Sequence, residues 1–191
     1  MTTVRIAHTE PWPGRNKTGH GFRISSFLVI LVDDATRRAL PVWLSGPEGH
    51  TLFRGGDDRP HPEPTEVITA NLLQAAGVTV TGVDIETLDA ALTAGPQRGP
   101  GPLAQATTRV AFTAAGTGEP REIPARIGYA LALAQATGTP VQVPDELMNR
   151  LAVPAQPDLV AQFTRNVPVP PRRRRVPRLF RGHPQARMAA S

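Results

Sequence analysis

One stretch limits the folds open to this chain more than any other: Glu122-Ile123-Pro124-Ala125-Arg126-Ile127-Gly128-Tyr129-Ala130-Leu131-Ala132-Leu133-Ala134, continuing through Gly138-Thr139-Pro140-Val141-Gln142-Val143-Pro144. It reads as a strand end, a short helix, a glycine stop and a second strand. Ile127, Ala130, Leu131 and Ala134 recur at i, i+3, i+4 and i+7, which makes one apolar helix face. Gly138 supplies the position after the helix where positive φ is wanted, and Pro140 stops the helix from continuing. Val141 and Val143 then alternate with Gln142, as in a half-buried strand. The small alanines let this helix lie close against a sheet, which is a sensible centre for a small α+β domain.

The rest of the chain supplies the sheet. Phe22 to Val32 is rich in Phe, Ile, Leu and Val and reads as a central strand. Asp33-Asp34-Ala35-Thr36 reads as a hairpin turn, because Asp bonds its own following backbone. Adjacent carboxylates can also bind a divalent cation, but no glycine-spaced calcium loop follows. Arg38 to Leu44 is the returning strand, with Trp43 in the core or on an interface. Ser45 is the expected N-cap of a helix start, and Glu48 falls in the first turn, where the helix dipole favours a carboxylate. Thr65 caps a helix over Glu66 to Ala76 that stops at Gly77, with Ile68, Leu72 and Leu73, and Ala75 or Ala76, as its expected buried face. Strands are expected at Thr3–Ala7, Val78–Ile85, Thr107–Ala114 and Arg121–Pro124, and a short helix at Asp145–Leu151. Glu10–Gly21, with His20, and Gly55–Pro64, with Asp57, Asp58, His61 and Glu63, read as loops on their Gly and Pro content. Gly95–Pro102 reads as a loop on the same ground. The expected architecture is one α+β domain over residues 1–153, with a mixed, largely antiparallel sheet and three to four helices. Residues 154–191 are expected to form a disordered Pro/Arg-rich tail.

Charge separates the two parts. The chain carries a net +5, yet residues 166–191 hold seven Arg and no acid, which leaves residues 1–165 at −2. Whole-chain charge is therefore no argument that the folded part binds nucleic acid. With no Cys, the chain has no disulfide, thiolate nucleophile or Cys-ligated metal. No apolar run is long enough to span a bilayer and no secretory signal opens the chain, so the expected location is the cytoplasm, away from membranes.

Two blocks carry a family likeness. The stretch from Ala125-Arg126 through Gly138-Thr139-Pro140-Val141-Gln142-Val143, together with Leu40-Pro41-Val42-Trp43-Leu44 followed by Glu48 and Leu52, resembles the bifunctional nuclease (BFN) domain family over roughly residues 22–153. The resemblance implies a nuclease: metal-assisted phosphodiester hydrolysis on RNA or DNA, using Mg²⁺ or Mn²⁺, in a homodimer. Glu48 matches a family Glu, and the resemblance makes it a candidate metal ligand. Its role at the helix start is the structural alternative. Arg126 matches a family Arg and is the candidate phosphate clamp, since a guanidinium holds phosphate through its planar fork. As structural alternatives it is an exposed helix Arg, or one paired with Glu48 or Glu122. The sequence departs from the family where a Thr-His-Asp run is usual and Thr65-Glu66-Val67 stands instead, and where Ser-Asp is usual and Gly128-Tyr129 stands instead. Both departures favour a second reading, a non-catalytic member that binds nucleic acid or protein.

The Arg172-Arg173-Arg174-Arg175 run, bracketed by Pro171 and Pro177, is a candidate contact for a nucleic-acid backbone without sequence preference. Acidic lipid or protein surfaces, or solubility alone, are the other readings.

Overall fold

Phe27 to Leu31 is an unbroken apolar run, and in the computed structural model every one of these side chains is buried. A strand of that kind needs cover on both faces. The structure describes residues 1–14, 23–52, 65–95, 105–116 and 118–165. In chain order the elements are β1 (Thr2–Gly14), β2 (Arg23–Asp33), β3 (Arg38–Ser45), α1 (Gly46–His50), α2 (Thr65–Ala75), β4 (Val78–Leu88), α3 (Ala91–Ala94), β5 (Ala106–Ala114), β6 (Pro120–Ala125), α4 (Ile127–Thr137), β7 (Val141–Val143), α5 (Asp145–Leu151), β8 (Val153–Pro154) and α6 (Leu159–Arg165).

The fold is α+β, as expected. One eight-stranded sheet runs β6-β5-β4-β7-β1-β2-β3-β8, antiparallel throughout except for the β4–β7 pair. β1 joins the two halves. Its Thr2–Val4 end pairs with β7, and the rest pairs with β2, with a register shift between Ile6 and His8.

The pleat of β2 and β3 sorts residues between two cores. Val29, Leu31, Leu40, Val42 and Leu44 join Ile127, Ala130, Leu131 and Ala134 of α4 in the larger one. Leu28, Ile30, Ala39 and Trp43 join Trp12 and Leu159 in the smaller. Among the described residues, β4, β5 and β6 have helix cover on one face only. Val83, Ile85 and Val110 are buried under it, whereas Glu86, Arg109 and Glu122 stand exposed.

Several expectations need correction. Among the described residues there are six helices, rather than three to four. The packed chain does not end at Pro154. β8 pairs with β3, and α6 seats Leu159 in the smaller core. β1 runs on through Glu10–Gly14, which reads as loop. From Arg5 onward its strand partner among the described residues is on the β2 side alone, and such an edge tolerates Pro11 and Pro13. The buried face assigned to α2 is rotated: Ile68 and Leu72 are exposed, while Val67, Ala70 and Leu73 are half-buried. α2 packs on α4, and the smaller Ala70 suits that approach better than the Ile68–Leu72 ridge. Trp43, only 1% exposed, belongs to the core and not to an interface. Among the described residues no helix is long and apolar enough to cross a membrane.

Candidate functional site

The two residues singled out by sequence sit on two helix starts that touch. β3 ends in Ser45, in extended backbone, and Pro47 favours the first turn of α1. Ser45 occupies the cap position without making a cap bond to the backbone. Its Oγ instead donates to Glu48 Oε2 at 2.9 Å. The expectation of a capping serine is thus corrected in kind: the Ser-x-x-Glu spacing of a capping box is spent on a side-chain pair.

Two glycines set how closely α1 lies. A Cβ on Gly49 would fall 2.1 Å from Phe27, and a Cβ on Gly128 would fall 2.6 Å from the Glu48 Cβ and 2.7 Å from its carbonyl oxygen. Thr51 Oγ1 crosses the same junction, donating to the Glu48 carbonyl at 2.7 Å and lying 3.4 Å from the Gly128 carbonyl. Gly128 therefore has a packing reason to be where the resembled family carries Ser. The signal was a glycine in the first turn of an otherwise Ala-rich helix, but its contact with Glu48 was invisible in one dimension.

Arg126 is the residue before α4, in extended backbone, and its carbonyl accepts the Ala130 N–H at 2.9 Å. Its side chain is exposed. It pairs with neither acid expected of it. Glu48 is taken by Ser45, and Glu122 lies 3.5 Å from Arg109, which also bonds Glu86 at 2.6 Å. The junction thus presents one half-buried carboxylate, two hydroxyls and, at the start of an eleven-residue helix, an exposed guanidinium without an ion-pair partner among the described residues. The positive end of that helix favours an anion.

Other candidates resolve differently. Asp33 is buried and accepts from Ala35 N at 2.9 Å and from the Thr36 hydroxyl, which chiefly holds its carboxyl below the usual range. Asp34 receives both Nε and Nη2 of Arg5, at 2.6 and 2.9 Å, and its carboxyl is likewise held low, first by that hydrogen bond. Both carboxylates are spent on the turn and on Arg5. Asp84 is pushed the other way, by burial first and then by Glu122 and Glu86. His20, the Asp57–Glu63 cluster and Arg172–Arg175 lie outside the described residues. Among the described residues no three His, Cys, Asp or Glu side chains gather as a metal site would require.

Compared with known proteins, the chain matches no family model and no curated protein.

Proposed function

We propose that the chain hydrolyses phosphodiester bonds of RNA or DNA at the junction of α1 and α4, with Glu48 and Arg126 as its working groups. The observation that supports this is the close approach of Glu48 to Gly128, by which Glu48 and Arg126 stand at adjoining helix starts although they are remote in sequence. Arg126 would clamp the phosphate, helped by the N–H groups and dipole at the start of α4. Glu48 would hold a Mg²⁺ or Mn²⁺ ion. A single carboxylate suits the mode in which substrate phosphate and water complete the shell of Mg²⁺, but does not make a self-sufficient cage. When bound, the ion would polarise the phosphoryl oxygens. The Ser45 hydroxyl fixes the Glu48 carboxylate, so the ligand is oriented before substrate arrives. The Arg172–Arg175 run would add affinity for the nucleic-acid backbone at no fixed sequence.

A second reading rests on the same contacts. Ser45 and Gly128 already give Glu48 a structural role, which suits a non-catalytic module that binds nucleic acid or protein. Cleavage of labelled RNA and single-stranded DNA with added Mg²⁺ or Mn²⁺ separates the two. Hydrolysis predicts turnover that Glu48→Gln and Arg126→Ala each lower by about 10²-fold or more. A chain ending at Arg165 should keep its turnover at saturating substrate while losing salt-dependent affinity. Metal-dependent cleavage that survives both substitutions would remove this site assignment. No cleavage at all by the full chain, with binding retained, would establish the second reading.

We further propose a homodimer joined through α2 and the start of α4. α2 buries no residue fully, and Ile68, Leu72 and Tyr129 are 47, 66 and 45% exposed. Light scattering at micromolar concentration should return twice the 20.4 kDa chain mass, and Leu72→Asp should return the monomer. A native chain that scatters as a monomer sinks the proposal.

A further inference from the structure

A cleft of about 540 Å³ opens on the face of the sheet opposite α1 and α4, where β1 and β2 meet the segment leading into α6. Its volume lies inside the range of small-molecule sites, about 300–1,000 Å³. Ile30 and Val32 line it, and Gln156 and Leu159 form the facing wall. Arg5, His8 and Arg37 bring cationic or titratable groups to it.

Most of the charge around the cleft is already matched. Arg5 is clamped on Asp34 through two bonds, and His8 Nε2 lies 3.2 Å from Glu10 Oε2. Arg37 is exposed, and none of the ion pairs among the described residues engages it. Its backbone is unusual as well. With φ of 53°, it is the single non-glycine among the described residues in the left-handed region, a conformation that an L-residue resists through its Cβ and Gly accepts. The Arg37 carbonyl accepts the Ala155 N–H at 2.8 Å. One strained residue therefore ties the hairpin to the opposite wall and brings an unmatched guanidinium to the cleft between them. Strain of this kind is a pointer to function when it is observed first.

We propose that this cleft binds a small organic phosphate of the size and chemistry of a nucleoside monophosphate, its phosphate on Arg37 and its apolar body on Ile30 and Val32. A guanidinium that no ion pair among the described residues engages suits a phosphate through two parallel bonds, and the Ile30–Val32 floor suits a ring. The site stands apart from Glu48 and Arg126 and does not depend on the reading of that junction.

The test is calorimetric titration of the full chain with adenosine monophosphate, adenosine and inorganic phosphate, each at one fixed salt concentration. Arg37→Gly is the informative variant, because Gly takes positive φ freely and so removes the guanidinium without endangering the turn. The native chain should bind the monophosphate one to one, and more tightly than either fragment. Arg37→Gly should weaken that binding by about tenfold or more, melt at an equal or higher temperature, and leave any metal-dependent cleavage unchanged. Glu48→Gln should bind the monophosphate as the native chain does. Equal affinity in native and Arg37→Gly chains would assign the phosphate to other arginines and overturn the proposal. So would adenosine binding as tightly as its monophosphate, loss of binding in Glu48→Gln, or no binding at millimolar ligand.

Discussion

The two halves of the sheet are built from strands of similar length but solve different problems. In the β1–β2–β3 half both faces are covered: α4 and α1 lie on one side, α6 on the other. In the β4–β5–β6 half the described residues cover a single face, and the other carries Glu86, Arg109 and Glu122 exposed. The difference is written in the strands. Phe27–Leu31 has no polar residue, because every position is covered: Val29 and Leu31 by one core, Leu28 and Ile30 by the other, and Phe27 by α1. Val83, Asp84, Ile85 and Glu86 alternate, because every second position meets water. Cover, more than strand propensity, decides which side chains each half tolerates.

Three perturbations test that contrast, in falling order of effect. The largest comes from α4, the helix covering both halves on one side. Ala130 is buried there, and Ala130→Arg would force an unpaired charge against the sheet, at a cost of about 4 kcal/mol or more. An unchanged urea midpoint would show that α4 is not the central cover. Next is α6, which covers the first half alone. Leu159→Ala should cost about 2 kcal/mol, the low end for a buried leucine, since the site lies at the rim of the smaller core. A chain ending at Pro154 should lose more than that variant, and one ending at Arg165 should melt like the full chain. Equal stability of the two truncated chains would deny α6 its role.

The smallest effect belongs to the open face. Arg109 spends its guanidinium on Glu86 and Glu122, leaving Asp84 behind them with its carboxyl raised, by burial first and by those two acids second. In the folded state this acid holds its proton to higher pH than in the unfolded chain. Its contribution therefore falls as pH rises from the ordinary carboxylate value through the raised one. Asp84→Asn should remove that fall, so the variant gains on the native chain with rising pH and then levels off. With much of the group in solvent, the gain should stay below about 0.5 kcal/mol. A gain that shrinks as pH rises would contradict the electrostatic account.

What the sequence disclosed follows the same division. α4 was legible residue by residue, since its period, its Gly138 stop and the alternating strand after it are all local signals. The burial of β2 was equally plain. α6 was not, because Leu159–Arg165 stands among prolines and ahead of a basic stretch, and its reason for folding is a sheet face more than a hundred residues earlier. The face of α2 was partly misread for a related cause: Ile68 and Leu72 point to solvent, while Val67, Ala70 and Leu73 are half-buried residues of a helix that packs on α4. At the candidate site, sequence located Glu48 and Arg126 but missed what joins them. A glycine records the absence of a side chain, and nothing in the string says which neighbour requires that absence. The Arg5–Asp34 pair and the cleft beside it arise from register between β1 and β2, which no local pattern encodes.

The smaller core has an optical consequence. The chain's two tryptophans, Trp12 and Trp43, both lie in it, edge to face with ring centroids 6.0 Å apart. The Trp43 Nε1–H is buried without a hydrogen-bond partner among the described residues. An indole shielded in that way emits toward the blue, and it reddens when water reaches it. Tryptophan emission is therefore a reporter on one half of the sheet, with no counterpart in the other. A denaturation curve followed by emission will overlay one followed by far-ultraviolet circular dichroism only if both halves melt in the same step. Any separation of the two curves would measure, without labels or added chromophores, how far β1 transmits cooperativity from one half to the other.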